Sequence, residues 1–363
     1  SSSSSSSTQA YFRQYDNPNS HMPLLRDSVL TRTWQLALEQ LSPDHIRGKV
    51  VLDVGCGPGH LAMMCAQAGA EHVIAVDGSA AIAEVARQAV DANGLSDKVT
   101  VLHADVESSS FQLVKKADVL VSNFAGPGLL GGGMLRALAR ARRDLLKPDG
   151  LVLPSRVELF VSGIEDREAL AAAKAAWDVP VAGLSLAPAM MQVVRHPRVE
   201  TLRRASQVAT STCSMLQLHT ATLGVRTAAL GFPSLPFSLT ATRDERLFGL
   251  ALHFDLGFGC PSGSQSRPDE EAISSSSGGD NQEEVAVFTS DPRAPPTHYQ
   301  QLVLSFPRAV RIAKGDVLEG MMNLQPSGTR GSDLEISVEL TFQGTTATTS
   351  YILVHGASKQ TLL

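Results

Sequence analysis

The stretch VLDVGCGPGHLA carries Gly55, Gly57 and Gly59 where a short apolar run gives way to a helical pattern. Glycines at such a junction let the backbone turn sharply and let a ligand approach the main chain with no side chain in the way. Asp77 stands at the end of the next apolar run, where a carboxylate accepts hydrogen bonds from ribose hydroxyls; Asp105, Val106 and Glu107 follow the third, beside the expected adenine position. The third glycine comes one residue early for G-x-G-x-x-G, so the pattern favours a nucleoside-bearing methyl donor over a nicotinamide cofactor. The plainer reading, in which the glycines only build a tight turn, stays open, as does a solvated or capping role for Asp77 and Glu107.

The next such position is different. After the run ADVLV comes SNFAGPGLLGGGML, residues 122–135, with no acid, no base and no nucleophile stronger than Ser122. Cys56, Cys65, Cys213 and Cys260 are too scattered for a zinc or redox motif, and no metal is expected.

These residues need a scaffold. KVVLDVG, HVIAVDG, KVTVLHAD and ADVLVSN are continuous apolar runs, which suits strands of a parallel sheet covered on both faces. Helical stretches lie between them: HLAMMCAQAGA, SAAIAEVARQAVDANG and GMLRALARARRDLLKPDG, the last two closed by glycine. A further helix is expected from Asp27 to Gln40, and another at EDREALAAAKAAW. Beyond LVLPS the period changes to two in RLFGLALHFDLGF, YQQLVLSF, DVLEGMMNLQ, DLEISVELTFQG and TSYILVH, as in an antiparallel barrel or sandwich.

The chain has 363 residues, 43% of them hydrophobic, enough for two domains, and its net charge of -5 gives no global basic field for nucleic acid. No apolar run reaches the roughly 20 residues of a membrane span, and the start lacks a charged-then-apolar leader. These features place the protein in the cytoplasm, with the nucleus as the alternative, and away from membranes.

YFRQY at 11–15, VLDVGCGPG, LLKPDGLVLPS and PTHY at 296–299 occur in one order across both halves. In that combination the chain from Tyr11 to His355 resembles the type I protein arginine methyltransferases. The resemblance implies a Rossmann-like methyl-donor-binding α/β domain, then an antiparallel β-barrel domain with an inserted helical dimerisation arm that docks on the partner's methyl-donor domain. By composition, residues 1–9 are a low-complexity serine tail expected to be unstructured; by the resemblance, 10–154 are the N-terminal helix plus Rossmann-like domain, and 155–363 the barrel. The arm falls at about 177–205 and a disordered loop at 261–284.

The resemblance also says what the loop at 122–135 lacks. In the family it is a hairpin whose two glutamates hold the substrate guanidinium; aligned without gaps they fall on Asn123 and Gly132, and the tyrosines beside them on Pro127 and Gly131. The arginine that meets the methyl donor's carboxylate falls on Leu30, with Arg26 and Arg32 nearby; His298 is retained where the family has a histidine that pairs with an acid near the site, for catalysis or as a structural loop residue, and the tryptophan after it is Tyr299. A guanidinium stays cationic at any usable pH. Losing charge-assisted bonds of roughly 1.5–3 kcal/mol each, and the alignment they impose, costs on the order of 10⁴-fold in rate.

The expectation is therefore not an enzyme but a pseudoenzyme, with Gly55, Gly57, Gly59, Asp77 and Glu107 left as vestigial contacts and S-adenosylmethionine not bound or bound weakly. Such a chain would pair, through arm and Rossmann-like domain, with an active arginine methyltransferase paralogue. It would be a regulatory, activating or stabilising subunit of a heterodimer or heterotetramer, similar to the prozymes of trypanosomatid parasites. Two other readings are a methyltransferase for a neutral acceptor oriented by Asn123, and a module that binds RNA or arginine-rich proteins through Arg136, Arg140, Arg142 and Arg143.

Overall fold

The computed structural model describes residues 2–186, 196–260 and 283–354. The serine tract, expected as an unstructured tail, forms the first turns of helix α1 (Ser2–Arg13). Tertiary anchoring explains this, since short helices owe most of their stability to packing: Tyr11 is buried, and the Phe12 ring lies so close over Gly78 that a Cβ there would fall 2.0 Å from it. After a single turn α2 (Met22–Leu25), helix α3 (Ser28–Leu41) starts at Asp27, whose Oδ1 accepts from the Leu30 amide at 2.9 Å. Leu30, Trp34, Ala37, Leu38 and Leu41 make its buried face at helical spacing.

Among the described residues, five parallel strands then form one sheet in the order β3-β2-β1-β4-β5: β1 (Val50–Val54), β2 (His72–Asp77), β3 (Val99–His103), β4 (Ala117–Val121) and β5 (Leu146–Leu153). Helices α4 (His60–Gln67), α5 (Ala80–Ala92) and α6 (Met134–Leu145) alternate with them. The order reverses between β1 and β4, which puts the ligand crevice at their carboxyl ends. The sequence carries the third helix on to Gly150, but α6 ends at Leu145 and β5 begins at once. Pro148 explains the difference, because it offers no amide to a helix and biases Lys147 towards extended backbone.

The second half is antiparallel. One sheet runs β7-β12-β10-β6-β8, with β11 on β10: β6 (Arg156–Ile164), β7 (Arg198–Glu200), β8 (Val208–His219), β10 (Glu245–Cys260), β11 (Glu283–Thr289) and β12 (Gln301–Ile312). The other runs β15-β14-β13-β9: β9 (Phe232–Thr240), β13 (Val317–Ser327), β14 (Asp333–Phe342) and β15 (Thr345–Leu353). A bridge between Thr210 and Ala241 joins the two sheets, and the Tyr351 hydroxyl donates to the Ser305 carbonyl across the core.

Period two finds β10 and β12 to β15 but misses β6, β7, β8, β11 and, most plainly, β9. Its prolines, 233 and 236, demote it in the sequence, yet it ends its sheet, where a missing amide is tolerated. Helix α7 (Arg167–Asp178) leads out of β6 towards exposed Val179, Val181 and Leu184. Of the span expected as the arm, residues 187–195 lie outside the described residues, and its far end is barrel, since β7 pairs with β12. The segment expected to be disordered, 261–284, also lies outside them, except that its last two residues open β11.

Candidate functional site

The glycine loop leaves β1 and enters α4 with Gly55, Gly57 and Gly59 all at positive φ, 70°, 53° and 85°. A side chain is disfavoured there on backbone grounds alone. The buried Asp77 carboxylate at the end of β2 accepts from the Gly57 amide (3.0 Å) and the Ser79 amide (2.8 Å). Burial raises the Asp77 pKa against the lowering effect of those two bonds. Asp77 thus braces the glycine loop, and Ser79 in turn donates its hydroxyl to Asp16 at 2.6 Å.

The acids after β3 have partners of their own. Arg330, in the turn between β13 and β14, donates to Asp105 through two nitrogens (2.7 and 2.8 Å) and to Glu107 at 2.6 Å. Arg136 of α6 takes the other Glu107 oxygen at 2.8 Å. The Arg330 guanidinium also lies 5.4 Å from the Tyr11 ring centre and 4.9 Å from that of Phe12. Burial would lower its pKa, but the Asp105 bond and the Glu107 charge outweigh that and raise it. Glu107 is therefore not the solvated group that the sequence leaves open.

The loop after β4 is closed by backbone and by neutral side chains. Asn123 Oδ1 accepts from Trp34 Nε1 at 2.7 Å, and Trp34 packs edge-on to Phe258 of the barrel with ring centres 4.7 Å apart. Gly132 is held on both sides: its amide donates to the Ser332 carbonyl at 3.0 Å, and its own carbonyl accepts from the Tyr11 hydroxyl at 2.6 Å. A Cβ on Gly126 would fall 1.8 Å from the Gly131 carbonyl oxygen, and one on Gly133 2.7 Å from that of Arg330.

Leu30 is buried in the hydrophobic core, whereas Arg26 and Arg32 are both exposed. His298 does find an acid. Its amide (2.8 Å) and Nδ1 (2.7 Å) both reach Asp27 Oδ2, so one carboxylate caps α3 and fixes the barrel loop. Burial works to raise the Asp27 pKa, but these bonds outweigh it and hold the group low. Tyr299 is buried against Phe254 and Phe288.

Sequence reasoning misses Arg330 and the histidines near the glycine loop. The Nδ1 of His21 lies 3.3 Å from where a Gly57 Cβ would be. His60 is pushed down to about 4 by burial, helped by the positive field of His21 and His298. A turn such as SGTRGSD carries no signal that its arginine reaches another domain.

No group of side chains among the described residues could hold a metal, and no helix among them is long and apolar enough to cross a membrane. The basic stripe on α6 is absorbed by other contacts: Arg136 on Glu107, Arg140 and Arg143 on Asp144, and Arg142 on the carbonyls of Leu223 and Ala221. Around the crevice, Glu107 is paired twice, Phe12 lies over Gly78, and Leu30 is buried in the core.

Residues 51–150 match a methyltransferase domain family, and residues 155–345 match the arginine methyltransferase oligomerization subdomain. Protein arginine N-methyltransferase 1 of Saccharomyces cerevisiae is 33% identical over 339 residues, 93% of this chain and 90% of that protein. That of Schizosaccharomyces pombe is 32% identical over 332 residues, covering 92% and 89%. A Trypanosoma brucei PRMT1 enzyme-prozyme heterotetrameric complex with AdoHcy has a structure with TM-score 0.80 and 29% identity, covering 94% of this chain and 99% of that one.

This likeness overturns the expectation that the chain is not an enzyme: relatives matching along more than nine-tenths of it are named protein arginine N-methyltransferases. That expectation weighed a few positions in one ungapped loop, whereas the likeness runs through both domains. It also favours arginine over a neutral acceptor. From the glycine loop to the last strands of the barrel, this chain belongs to the protein arginine methyltransferase family.

Proposed function

We propose that this chain works as one subunit of a hetero-oligomeric arginine methyltransferase, paired with a second family member whose activity it raises or stabilises, and that it binds S-adenosylmethionine weakly in the arrangement described. The observation that carries the reading is the loop after β4. Of its two positions that would face a substrate guanidinium, Asn123 is spent on Trp34 and Gly132 has no side chain. A guanidinium is held best by a carboxylate, so pairing with a family member that carries one there would raise the rate of the assembly. The likeness to a chain of the Trypanosoma brucei enzyme-prozyme complex supports the pairing.

The apolar side chains exposed after α7, Val179, Val181 and Leu184, are the surface on which such a pairing would begin. The absence of a membrane-length helix among the described residues is consistent with work in the cytoplasm, which fluorescence microscopy of the tagged chain would check. The function itself is tested by co-expressing the chain with family members from the same cell. Methylation of an arginine-rich peptide is then compared for each chain alone and for the pair. A stable complex whose rate exceeds the sum of the separate chains by roughly tenfold or more is the expected outcome. A chain that forms no complex, or that adds nothing to its partner's rate, refutes it.

A further inference from the structure

The contacts of Arg330 amount to more than a surface ion pair. The side chain is only 12% exposed, Glu107 is 11% exposed, and the guanidinium forms two bonds to Asp105 and one to Glu107 while lying over Tyr11 and Phe12. Its backbone sits at φ 61°, ψ 19°, the left-handed region that a non-glycine residue holds only when the surroundings repay the strain. The turn that carries it is also stitched to loop 131–133, through the Gly132 amide on the Ser332 carbonyl. The Tyr11 hydroxyl on the Gly132 carbonyl then brings in α1. One arginine therefore ties the barrel, the N-terminal helix and the connection after β3 together over the carboxyl ends of β2 and β3, where an α/β sheet takes its nucleoside.

We propose that Arg330 is a latch on the nucleoside crevice. Its guanidinium holds the carboxylates that would otherwise face an adenosine-type ligand, and it keeps α1 pressed over Gly78. A nucleoside enters only when Arg330 lets go of Asp105 and Glu107. Weak donor binding is thus a property of the closed latch and not of a missing site, a deepening that rests on the weak binding proposed above. Because the latch residue belongs to the barrel, movement of the barrel against the parallel sheet on pairing would reach the crevice directly.

The test is calorimetric titration of S-adenosylhomocysteine into the full chain, its Arg330→Ala variant and its Asp105→Asn variant, with thermal melts to confirm folding. Asp105→Asn weakens the hold on Arg330 without touching Glu107, and serves if the first variant does not fold. The expected result is weak binding to the parent chain, an affinity about tenfold higher in either variant, and faster amide exchange at residues 8–15. If the parent binds weakly and the variants that fold bind no better, the latch is refuted while weak binding stands. If the parent binds tightly, weak binding is itself wrong and the latch falls with it. Weaker binding in the variants would make Arg330 a support for the ligand and would also overturn the proposal.

Discussion

Two glycine-rich loops leave adjacent strands of the same sheet, and they use glycine in opposite ways. After β1, the glycines turn the chain into α4 and leave a main chain braced by Asp77, with His21 close to Gly57. After β4, the glycines let the loop close on itself and on the barrel: Gly126 meets the backbone of Gly131 within the loop, and Gly133 that of Arg330 in the barrel. The first loop keeps the form of a ligand cradle, whereas the second has the form of an internal joint. The same residue type thus marks a place for a ligand in one loop and the filling of that place in the other, and only the neighbours tell which.

The sharpest way to break this comparison is to add one methyl group to each loop. Gly126→Ala puts a Cβ 1.8 Å from a backbone oxygen that cannot step aside, and should cost about 3 kcal/mol or more, or abolish folding. Gly57→Ala meets only the movable His21 ring at 3.3 Å and an unfavourable φ of 53°, and should cost about 1 kcal/mol. Denaturant midpoints measure both, and equal costs would end the distinction. Next in size is Asp27→Ala, which removes the cap of α3 and leaves His298 without its partner. About 2–3 kcal/mol of stability should go with it.

Stability against pH separates the two regions in another way. His60 beside the glycine loop and His253 in the barrel are both depressed from 6.5 to about 4, chiefly by burial. Asp53 of β1 is raised from 3.8 to about 8 by burial and the Asp77 charge. Between pH 4 and 6.5 the unfolded chain takes up two protons on the histidines that the folded chain refuses, while the folded chain keeps one on Asp53 that the unfolded chain loses. The net difference is one proton in favour of the unfolded state, so stability rises with pH across that window.

From pH 6.5 to 8, of these three groups only Asp53 still differs between the folded and unfolded chain, and its contribution falls by about 2 kcal/mol. A maximum near pH 6.5 in the melting temperature is expected, with the fall above it abolished in Asp53→Asn. A profile that keeps rising to pH 8 would contradict this. Smaller still is Asn123→Ala, which leaves the buried Trp34 Nε1 unpaired at about 1–2 kcal/mol, read by chemical denaturation. Changing Arg140 and Arg143 together to alanine should move stability by less than about 0.5 kcal/mol and leave retention on an RNA column unchanged, since both pair with Asp144 near the surface.

Which parts were legible follows from the range of the interactions involved. β1 to β4 are continuous apolar runs because both faces of a parallel sheet are covered, and the turn after β1 is glycine-rich because its backbone sits at positive φ. The loss of acids at positions 123 and 132 is visible by inspection. The roles left to those positions are not, since the Asn123 partner lies 89 residues away on α3. The serine tract misled for a related reason: short polar side chains do not rule out a helix whose far end is anchored by Tyr11 and Phe12.

By itself, then, the sequence determined the local and periodic features: the parallel sheet and its covering helices, the glycine turn, the alternation of half of the barrel strands, and the order of motifs that marks the family. These depend on contacts between residues a few positions apart, or on which face of an element is apolar. Tertiary structure decided everything that rests on charges meeting across the chain. It set Arg330 on Asp105 and Glu107 across 225 and 223 residues, and His298 on Asp27 across 271. Such pairs are selected by burial and geometry and leave no spacing in the sequence to read.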